Sequence, residues 1–188
     1  MAFMFDIESV GIESTSGILS AAITYFDFDD KKTYAEYVND SCFVKFNLQE
    51  QLDMGRVKDK ETIQWWTKQA EIPKQVSLYP SKEDVSAKEG IDKIREYINS
   101  RGGSNQIVWA RGSLDQMAID SLCRNIEVEP LFMYNKWRDT RTAIDCIYNT
   151  AFNGYCKVKN FNADLVVIKH DPRNDCALDI LMLTQGED

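Results

Sequence analysis

The chain begins with three stretches in which apolar, β-branched and aromatic residues dominate. The first, "AFMFDIE", is a short apolar run that predicts a buried strand. The next two, "ILSAAITYFDFD" and "KTYAEYVNDSCFVKF", predict the arms of a long hairpin, with the polar "FDDKK" as its turn. The first part of the chain is therefore predicted to be a meander of strands.

Helical spacing of apolar residues follows this meander. "KETIQWWTKQA" predicts a short helix, and a longer one is predicted over "SKEDVSAKEGIDKIREYINS", ending at "RGG". The apolar positions of the longer helix recur at near-helical spacing: Val85, Ile91, Ile94, Tyr97 and Ile98. We expect these two helices to cover a sheet.

Strands and helices alternate in the second half of the chain. "NQIVWARGS" predicts a strand that ends at a glycine turn, and "SLDQMAIDSLCRN" predicts a helix with Ser113 as its N-cap. The predicted buried face of that helix consists of Leu114, Met117, Ala118 and Leu122. "LFMYN" predicts a last short strand; a helix over 139–148, an apolar run over 165–168 and a final helix follow. The order predicts an α/β fold with a mixed sheet, in one domain spanning residues 1–188.

Composition and charge narrow the class of protein. A length of 188 residues with 44% hydrophobic residues supports one core of ordinary size. The net charge of −8 argues against coating of nucleic acid or anionic membrane, although it allows a local basic groove. Five cysteines without CxxC spacing predict reduced thiols. With no secretion signal and no apolar stretch near the roughly 20 residues of a membrane span, we expect a cytoplasmic protein without a membrane partner.

Acidic residues at predicted strand ends and helix starts are the first candidates for chemistry. Asp6 and Glu8 lie two apart in a strand, so both carboxylates point to one face. Such a pair indicates either a solvated strand end or a divalent cation between the two groups, because hard cations prefer oxygen ligands. Asp115, in the first turn of its helix, is either a capping acid or a third ligand.

His170 is the only histidine in the chain. "HDP" makes Asp171 the predicted N-cap and Pro172 the first residue of the last helix, so Asp175 lies one turn in. A lone histidine is typical of a surface or core position, but beside an acid it is also a candidate general base. Four carboxylates and one imidazole together match two-metal phosphodiester hydrolysis. A zinc protease would need more histidines, and P-loop, GxGxxG and GxSxG motifs are absent.

Three segments resemble the motifs of the DEDDh superfamily of 3′→5′ exonucleases: "FDIES", "ARGSLDQMAIDSL" and "HDPRNDCALDIL". "ETIQWWTKQ" and the last of these segments are also similar to exonuclease A of T-even bacteriophages and to the small bacterial 3′→5′ exoribonucleases. The resemblance implies a ribonuclease H-like five-stranded mixed sheet flanked by helices. It also implies an enzyme that releases nucleoside 5′-monophosphates from single-stranded RNA or DNA 3′ ends. Several relatives are homodimers, so a homodimer is expected.

The resemblance also assigns roles to single residues. Asp6 would bridge two Mg²⁺ or Mn²⁺ ions, while Glu8 and Asp175 would complete the catalytic one. Asp115 would support the second ion through water, and His170 would deprotonate the attacking water. Ser9 and Val10 occupy the place whose backbone binds the terminal 3′-OH in the family.

Further substrate contacts are predicted from the residues themselves. Trp65 and Trp66 are adjacent and so about 100° apart on a helix, which lets one pack in the core while the other stacks on a base. Both being packing residues is the alternative. Gln69 would share the face of Trp65. Arg111 would contact phosphate, and the basic residues of 157–173 would either do the same or form a solvated loop: Lys157, Lys159, Lys169 and Arg173.

Several functions stay open on the sequence alone. The leading prediction is a 3′→5′ exonuclease, leaning towards RNA, with a single-stranded DNA exonuclease as the alternative. A catalytically silent nuclease-fold module that binds nucleic acid or a protein is a second alternative. A small-molecule phosphatase is a third.

Overall fold

A five-stranded mixed sheet forms the centre of the computed structural model, which describes residues 1–150, 154–161 and 167–187. Its strands are β1 (Ala2–Ser9), β2 (Ile18–Phe26), β3 (Cys42–Lys45), β4 (Ile107–Ala110) and β5 (Trp137–Asp139). The spatial order is β3-β2-β1-β4-β5, antiparallel across β1, β2 and β3 and parallel across β1, β4 and β5. A short antiparallel pair, β6 (Lys157–Val158) and β7 (Gly186–Glu187), stands apart from this sheet.

Helices flank the sheet, which confirms the predicted α/β class and is consistent with a ribonuclease H-like fold. Their bounds are α1 (Tyr34–Asp40), α2 (Leu48–Asp53), α3 (Lys60–Thr67), α4 (Glu71–Pro73), α5 (Ala87–Ser100), α6 (Leu114–Asn125), α7 (Thr140–Tyr148) and α8 (Pro172–Gln185). A π-helical turn, Lys74–Leu78, continues α4, and a 3₁₀ turn, Tyr134–Lys136, precedes β5. Within the described residues, no helix is long and apolar enough to cross a membrane.

Strand β1 divides the core between the two faces of the sheet. Phe3, Phe5 and Ile7 are buried with the apolar residues of α5 and α6, while Ala2 and Met4 are buried with those of α1 and α8. Each of the phenylalanine, isoleucine and methionine side chains contributes about 1.5–3 kcal/mol by burial. Because side chains alternate along a strand, Asp6 and Glu8 continue the row that faces α8. The core pattern thus aims both carboxylates at the last helix.

The predicted hairpin is wrong in its second arm. Residues of "KTYAEYVND" form α1, and only Cys42–Lys45 pairs with β2. Thr33 and Glu36 form a reciprocal capping box, in which the threonine side chain accepts from the Glu36 amide and the glutamate accepts from the Thr33 amide. Tyr34 and Tyr37 then face the core one turn apart. A cap and a buried helical face override the strand propensity of the aromatic residues.

Other element boundaries also differ from those predicted. "LFMYN" forms no strand, because Leu131 and Phe132 reach the core from a loop and β5 starts at Trp137. Helix α5 begins only after Ser86, its N-cap, while Val85 makes a bridge to Phe46.

Two predictions about individual helices are also corrected. On α6, Ser113 makes no side-chain cap, and Met117 is exposed because Ile119 takes the core position. Helix α2 was not predicted. The apolar run predicted over 165–168 lies partly outside the described residues. Four of the cysteines predicted to be reduced are free thiols: Cys42, Cys123, Cys146 and Cys176.

Candidate active site

The end of β1 brings three of the predicted carboxylates together. Asp6 and Glu8 lie on one face of the strand, and the Ile7 amide between them donates to Asp115 Oδ1 at 3.2 Å. Asp115 comes from the first turn of α6, which follows the parallel neighbour β4. The strand order therefore places the start of α6 beside the end of β1. This brings Asp115 close to Asp6 and Glu8, although it lies more than 100 positions away in the sequence.

The loop before α8 adds His170 and Asp175. Asp171 is the N-cap of α8 and Pro172 its first residue, as predicted. His170 has a left-handed backbone (φ 63°), and its amide donates to Asp175 Oδ2 at 2.9 Å. The His170 Nδ1 atom lies 3.3 Å from Glu8 Oε1. The imidazole is thus fixed between two of the predicted metal ligands.

The π-helical turn Lys74–Leu78 also contacts the loop that carries His170. The Ser77 hydroxyl donates to the His170 carbonyl at 3.3 Å and lies 2.8 Å from the Ser20 hydroxyl on β2. π-Helical turns recur at functional sites. Ser77 was not singled out from the sequence, because nothing in "KQVSL" indicates a contact with a residue 93 positions away.

Two observations show that the cluster suits a cation. Ligand atoms of Glu8, His170 and Asp175 all lie within 4.8 Å of one another. The buried Asp6 Oδ2 atom has no hydrogen-bond partner among the described residues. An orphaned buried carboxylate oxygen is costly unless a cation or a proton accompanies it. The donor set, oxygen-rich with one imidazole, fits Mg²⁺ or Mn²⁺.

Burial and mutual repulsion raise the pKa values of the clustered acidic groups. Burial, and then Asp115 and Asp175, raise the pKa of Asp6 well above its usual value. Burial raises the pKa of both Asp115 and Asp175 to about 7. Burial also raises the pKa of Glu8, against the opposing contact with His170. In the absence of cations these carboxyl groups are therefore protonated more easily than exposed acids, and a divalent ion would oppose that shift.

Asp179 is a fifth acid that sequence reasoning missed. It lies one turn after Asp175 on α8 and is 8% exposed. Arg111 Nε donates to both its oxygens, at 3.1 and 3.0 Å. Burial raises the pKa of Asp179, while Arg111 opposes that rise. The i, i+4 spacing of the two aspartates was a signal available in "DCALD".

Arg111, which is predicted to contact phosphate, already has partners within the chain for its guanidinium group. Besides Asp179, Arg111 donates to the Gly154 carbonyl at 3.1 Å, and its Cζ lies 4.3 Å from the centre of the Tyr155 ring. It does line a cavity of about 190 Å³ beside Asp6, His170 and Asp175. A larger cavity, about 420 Å³ beside β3, contains none of the clustered carboxylates in its described lining, so its size does not mark the site.

The two tryptophans of α3 point in different directions, as predicted. Trp66 is fully buried, and its Nε1 donates to the Ser9 carbonyl at 2.9 Å. Trp65 is 40% exposed, and its ring centre lies 4.8 Å from that of His170. Gln69 donates from its amide to the Trp65 carbonyl. Of this pair, Trp65 is the side chain available to a ligand at the site.

Ser9 and Val10 differ in what they offer. Val10 is fully buried, its amide donates to the Gly17 carbonyl at 2.9 Å, and its carbonyl accepts from Asp59 at 2.7 Å. The Val10 amide is therefore already paired, and its carbonyl has one lone pair left to accept a 3′-OH, so the predicted contact through Val10 stays a prediction. Ser9 remains partly exposed at the strand end, with its hydroxyl donating to Gly11 at 2.6 Å.

The basic stretch near the site is less positive than its sequence indicates. Arg173 is paired with Asp171 and stacks on Phe43, with Cζ 4.5 Å from the ring centre. Lys157, Lys159 and Lys169 are exposed. Residues 162–166 of this stretch lie outside the described residues.

Comparison with known proteins agrees with the chemistry of the cluster. The model of the 3′-5′ exoribonuclease Rv2179c-like domain matches residues 1–175. A protein of Enterobacteria phage T4 named exodeoxyribonuclease is 30% identical over 200 aligned residues, which cover 96% of this chain and 86% of the phage protein. The match to the family runs from β1 through the first turn of α8 and so includes every residue of the acidic cluster except Asp179.

Proposed function

Because the chain belongs to the Rv2179c-like family of 3′-5′ exoribonucleases, we propose that it degrades single-stranded RNA from its 3′ end, releasing nucleoside 5′-monophosphates. That it is a 3′-5′ exonuclease, and so acts on nucleic acid, follows from the comparisons. One observation carries the mechanism: Asp6, Glu8, Asp115, Asp175 and His170, from three separate parts of the chain, converge at the end of β1.

The four carboxylates are proposed to hold two Mg²⁺ or Mn²⁺ ions. The family implies dependence on a divalent metal, and the orphaned Asp6 oxygen supports a ligand role for that residue. Asp6 would hold both ions, Glu8 and Asp175 would complete the ligands of the catalytic ion, and Asp115 would support the second ion. When bound, such ions supply an activated water and charge neutralisation at the scissile phosphate.

His170 is proposed as the general base. If Nδ1–H donates to Glu8, the neutral tautomer leaves Nε2 as the acceptor that removes a proton from the attacking water. The hydrogen bond with Glu8 raises the pKa of His170, which makes it a stronger base. The Asp175 and Ser77 contacts hold its backbone, and the contact of Nδ1 with Glu8 orients the ring.

The terminal nucleotide is proposed to lie between Ser9 and Trp65. Trp66 fixes the Ser9 carbonyl, and the neighbouring Trp65 is half exposed against His170. A base stacked on an indole gains about 1–3 kcal/mol whatever its identity, which suits a sequence-tolerant exonuclease. The Gln69 side-chain amide donates to the Trp65 carbonyl at 3.1 Å, and Arg111 could reach phosphate only by loosening its pair with Asp179.

The two comparisons point to different substrates, so the preference for RNA over DNA needs its own test. The family is named for exoribonucleases, and the T4 relative is named an exodeoxyribonuclease. Matched 5′-labelled single-stranded RNA and DNA of one sequence, incubated with Mg²⁺ and with Mn²⁺, decide it by their rates. We expect faster shortening of RNA from the 3′ end. Faster shortening of DNA would transfer the proposal to a deoxyribonuclease with the same site.

The number of metal ions and the oligomeric state are separate proposals. Calorimetric titration with Mn²⁺ tests the first, with two sites expected per chain and fewer in the Asp115→Asn variant. The family resemblance also predicts a homodimer, which light scattering at working concentration tests directly.

A further inference from the structure

One face of α8 extends from the acidic cluster into an apolar wall. Asp175, Leu178, Asp179 and Met182 follow each other at helical spacing and all line the cavity of about 190 Å³ that also contacts Asp6 and His170. The cavity therefore joins the carboxylates of the site to two apolar side chains further along the helix, Leu178 and Met182, which lie beside the Arg111–Asp179 pair. This polarity matches a nucleotide, which has an anionic phosphate and an apolar ring face.

Tyr155 stands at this cavity with its ring held from one side. It is 53% exposed, and the Arg111 guanidinium lies over one ring face with Cζ 4.3 Å from the centre. Arg111 is itself fixed by Asp179 and by the Gly154 carbonyl. The exposed part of the Tyr155 ring thus lies beside the carboxylates, and its other side packs on Arg111, which is paired with Asp179.

The backbone under Tyr155 is also fixed. The Gly154 amide donates to Asp145 Oδ1 at 2.9 Å, and Gly154 adopts a left-handed φ of 75°. A side chain at this position would put its Cβ 2.3 Å from the Arg141 Cα atom, so the close approach to α7 requires glycine. The half-exposed Tyr155 ring is thus carried by a backbone that is held in place beside the cavity.

Two aromatic rings therefore border the site from different elements. Trp65, on α3, packs against His170 but is not among the described residues that line the α8 cavity, whereas Tyr155 is. A scissile phosphate at the carboxylates has one nucleotide on each side. With the terminal nucleotide at Ser9 and Trp65, the nucleotide before it extends towards the other ring.

We propose that Tyr155, supported by the Arg111–Asp179 pair, is the stacking subsite for the penultimate base of the substrate. The inference rests on the proposed function and names a contact that this function requires. The cavity is smaller than the roughly 300–1,000 Å³ of pockets that enclose a whole ligand, so it takes one ring system and leaves the rest of the strand outside. Stacking on the free ring face accepts any base.

The test combines a residue change with a missing base. Initial rates are measured on three 5′-labelled oligonucleotides of one length: intact, lacking the terminal base, and lacking the penultimate base. Tyr155→Ala should lower kcat/KM on the intact strand about 5- to 150-fold, the range of one lost stacking contact, mainly through KM. On the strand that lacks the penultimate base it should cause no further loss. Tyr155→Phe, which keeps the ring, should match the wild type throughout.

Controls separate stacking from a structural role. Tyr79 is a matched residue, 41% exposed with Lys74 over its ring at 5.9 Å, and it does not line the cavity; Tyr79→Ala should leave all three rates unchanged. Tyr155→Leu keeps apolar bulk without an aromatic face and should behave like Tyr155→Ala. A Tyr155→Ala penalty that persists without the penultimate base, or that vanishes only without the terminal base, overturns the assignment.

Binding gives a readout that does not need turnover. An oligonucleotide with 2-aminopurine at the penultimate position, bound to wild-type protein in Ca²⁺, should lose fluorescence that is regained in Tyr155→Ala but not in Tyr155→Phe. Equal fluorescence in all three proteins would refute the subsite. Absence of strand shortening with preserved quenching would instead reject the proposed enzyme and keep the subsite.

Discussion

At the residue scale, His170 is held by four different contacts. Its amide donates to Asp175, its carbonyl accepts from Ser77, its Nδ1 meets Glu8, and its ring packs against Trp65. A left-handed backbone costs a non-glycine residue free energy that the surrounding contacts must offset. We interpret this arrangement as preorganisation of a base, since a surface histidine would need none of these contacts.

Removal of the imidazole tests that interpretation. His170→Ala should lower kcat about 10²- to 10⁴-fold, as loss of a general base does, while KM changes little. Titration with Mn²⁺ should show the same number of sites as the wild type, because carboxylates remain as ligands. Loss of a metal site in His170→Ala would make the histidine a ligand and would leave the base unassigned.

The acidic cluster was largely predictable from single residues, and its surroundings were not. Period-2 geometry indicated that Asp6 and Glu8 share a face, and the cap and proline after His170 indicated where Asp175 lies. Asp179 was missed because an acid on a buried helix face is explained only by its partner, Arg111, 68 positions away. The hydrogen bonds of Val10 to Gly17 and Asp59 could not be predicted, because they depend on a loop that the pattern does not describe.

At the element scale, α3 and the loop between β1 and β2 shape one wall of the site. Trp66 packs with Val10 and Leu19, so the helix is attached to the strand that carries the carboxylates. Arg56 joins the same loop to α6: it is 4% exposed and donates to the Ser14 and Ser16 carbonyls and to Asn125 Oδ1. Among the described residues it has no carboxylate partner, and burial lowers its pKa to about 10.

The two tryptophans of α3 should separate stability from activity. Trp66→Ala should lower the free energy of unfolding by about 3–5 kcal/mol, because it opens a cavity and frees the Ser9 carbonyl. Trp65→Ala should leave unfolding nearly unchanged and lower kcat/KM about 5- to 150-fold. Chemical denaturation and steady-state kinetics measure the two. The reverse pattern would mean that the exposed ring is structural.

Arg56 offers a prediction about the loop that it holds. Arg56→Met keeps much of the apolar stem but leaves buried carbonyl groups unsatisfied, so we expect a loss of about 2–5 kcal/mol in unfolding free energy. Arg56→Lys should recover only part of this loss, because an ammonium cannot reproduce the planar set of donors. Urea denaturation of the three proteins compares them. Wild-type stability of Arg56→Met would show that the loop is held by its backbone bonds alone.

Elements with strong apolar periodicity were predicted well, and elements defined by caps were not. β1, β2, β4, α3 and α7 lie where the pattern placed them, and among these β1 and β2 are buried over most of their length. The stretch from Thr33 to Asp40 was assigned to a strand because its tyrosines and valine suggest one, although Thr33 and Glu36 already marked a helix start. The three-residue strand β5 was missed because it is too short to show a period.

At the scale of the whole molecule, the site concentrates negative charge on a chain that is already acidic. The net charge is −8, and the four carboxylates predicted to bind metal lie close enough to repel one another. Burial raises the pKa of Asp115 and Asp175 from 3.8 to about 7. Folding of the metal-free protein is therefore linked to pH, and bound cations should uncouple the two.

The sign of this linkage follows from the direction of the shifts. A carboxyl group whose pKa is raised by folding stabilises the fold fully below its unfolded value, and this stabilisation disappears as pH rises through the folded value. The melting temperature in EDTA should therefore fall between about pH 5 and pH 8. Mn²⁺ should raise it most at the upper end, where the ligands are ionised.

The Asp115→Asn variant serves as the control for this linkage. It removes one of the titrating groups, so its melting temperature in EDTA should fall less over the same range. A melting temperature that is independent of both pH and Mn²⁺ would contradict the electrostatics of the site.

The most direct test of the account is metal-dependent shortening of a 5′-labelled single-stranded RNA by the EDTA-stripped protein and its Asp6→Asn variant. We predict a ladder that shortens one nucleotide at a time from the 3′ end when Mg²⁺ is restored to the wild type, and none in Asp6→Asn at any Mg²⁺ concentration. Shortening in EDTA, or near-normal shortening by Asp6→Asn, would contradict a metal-dependent active site at the end of β1.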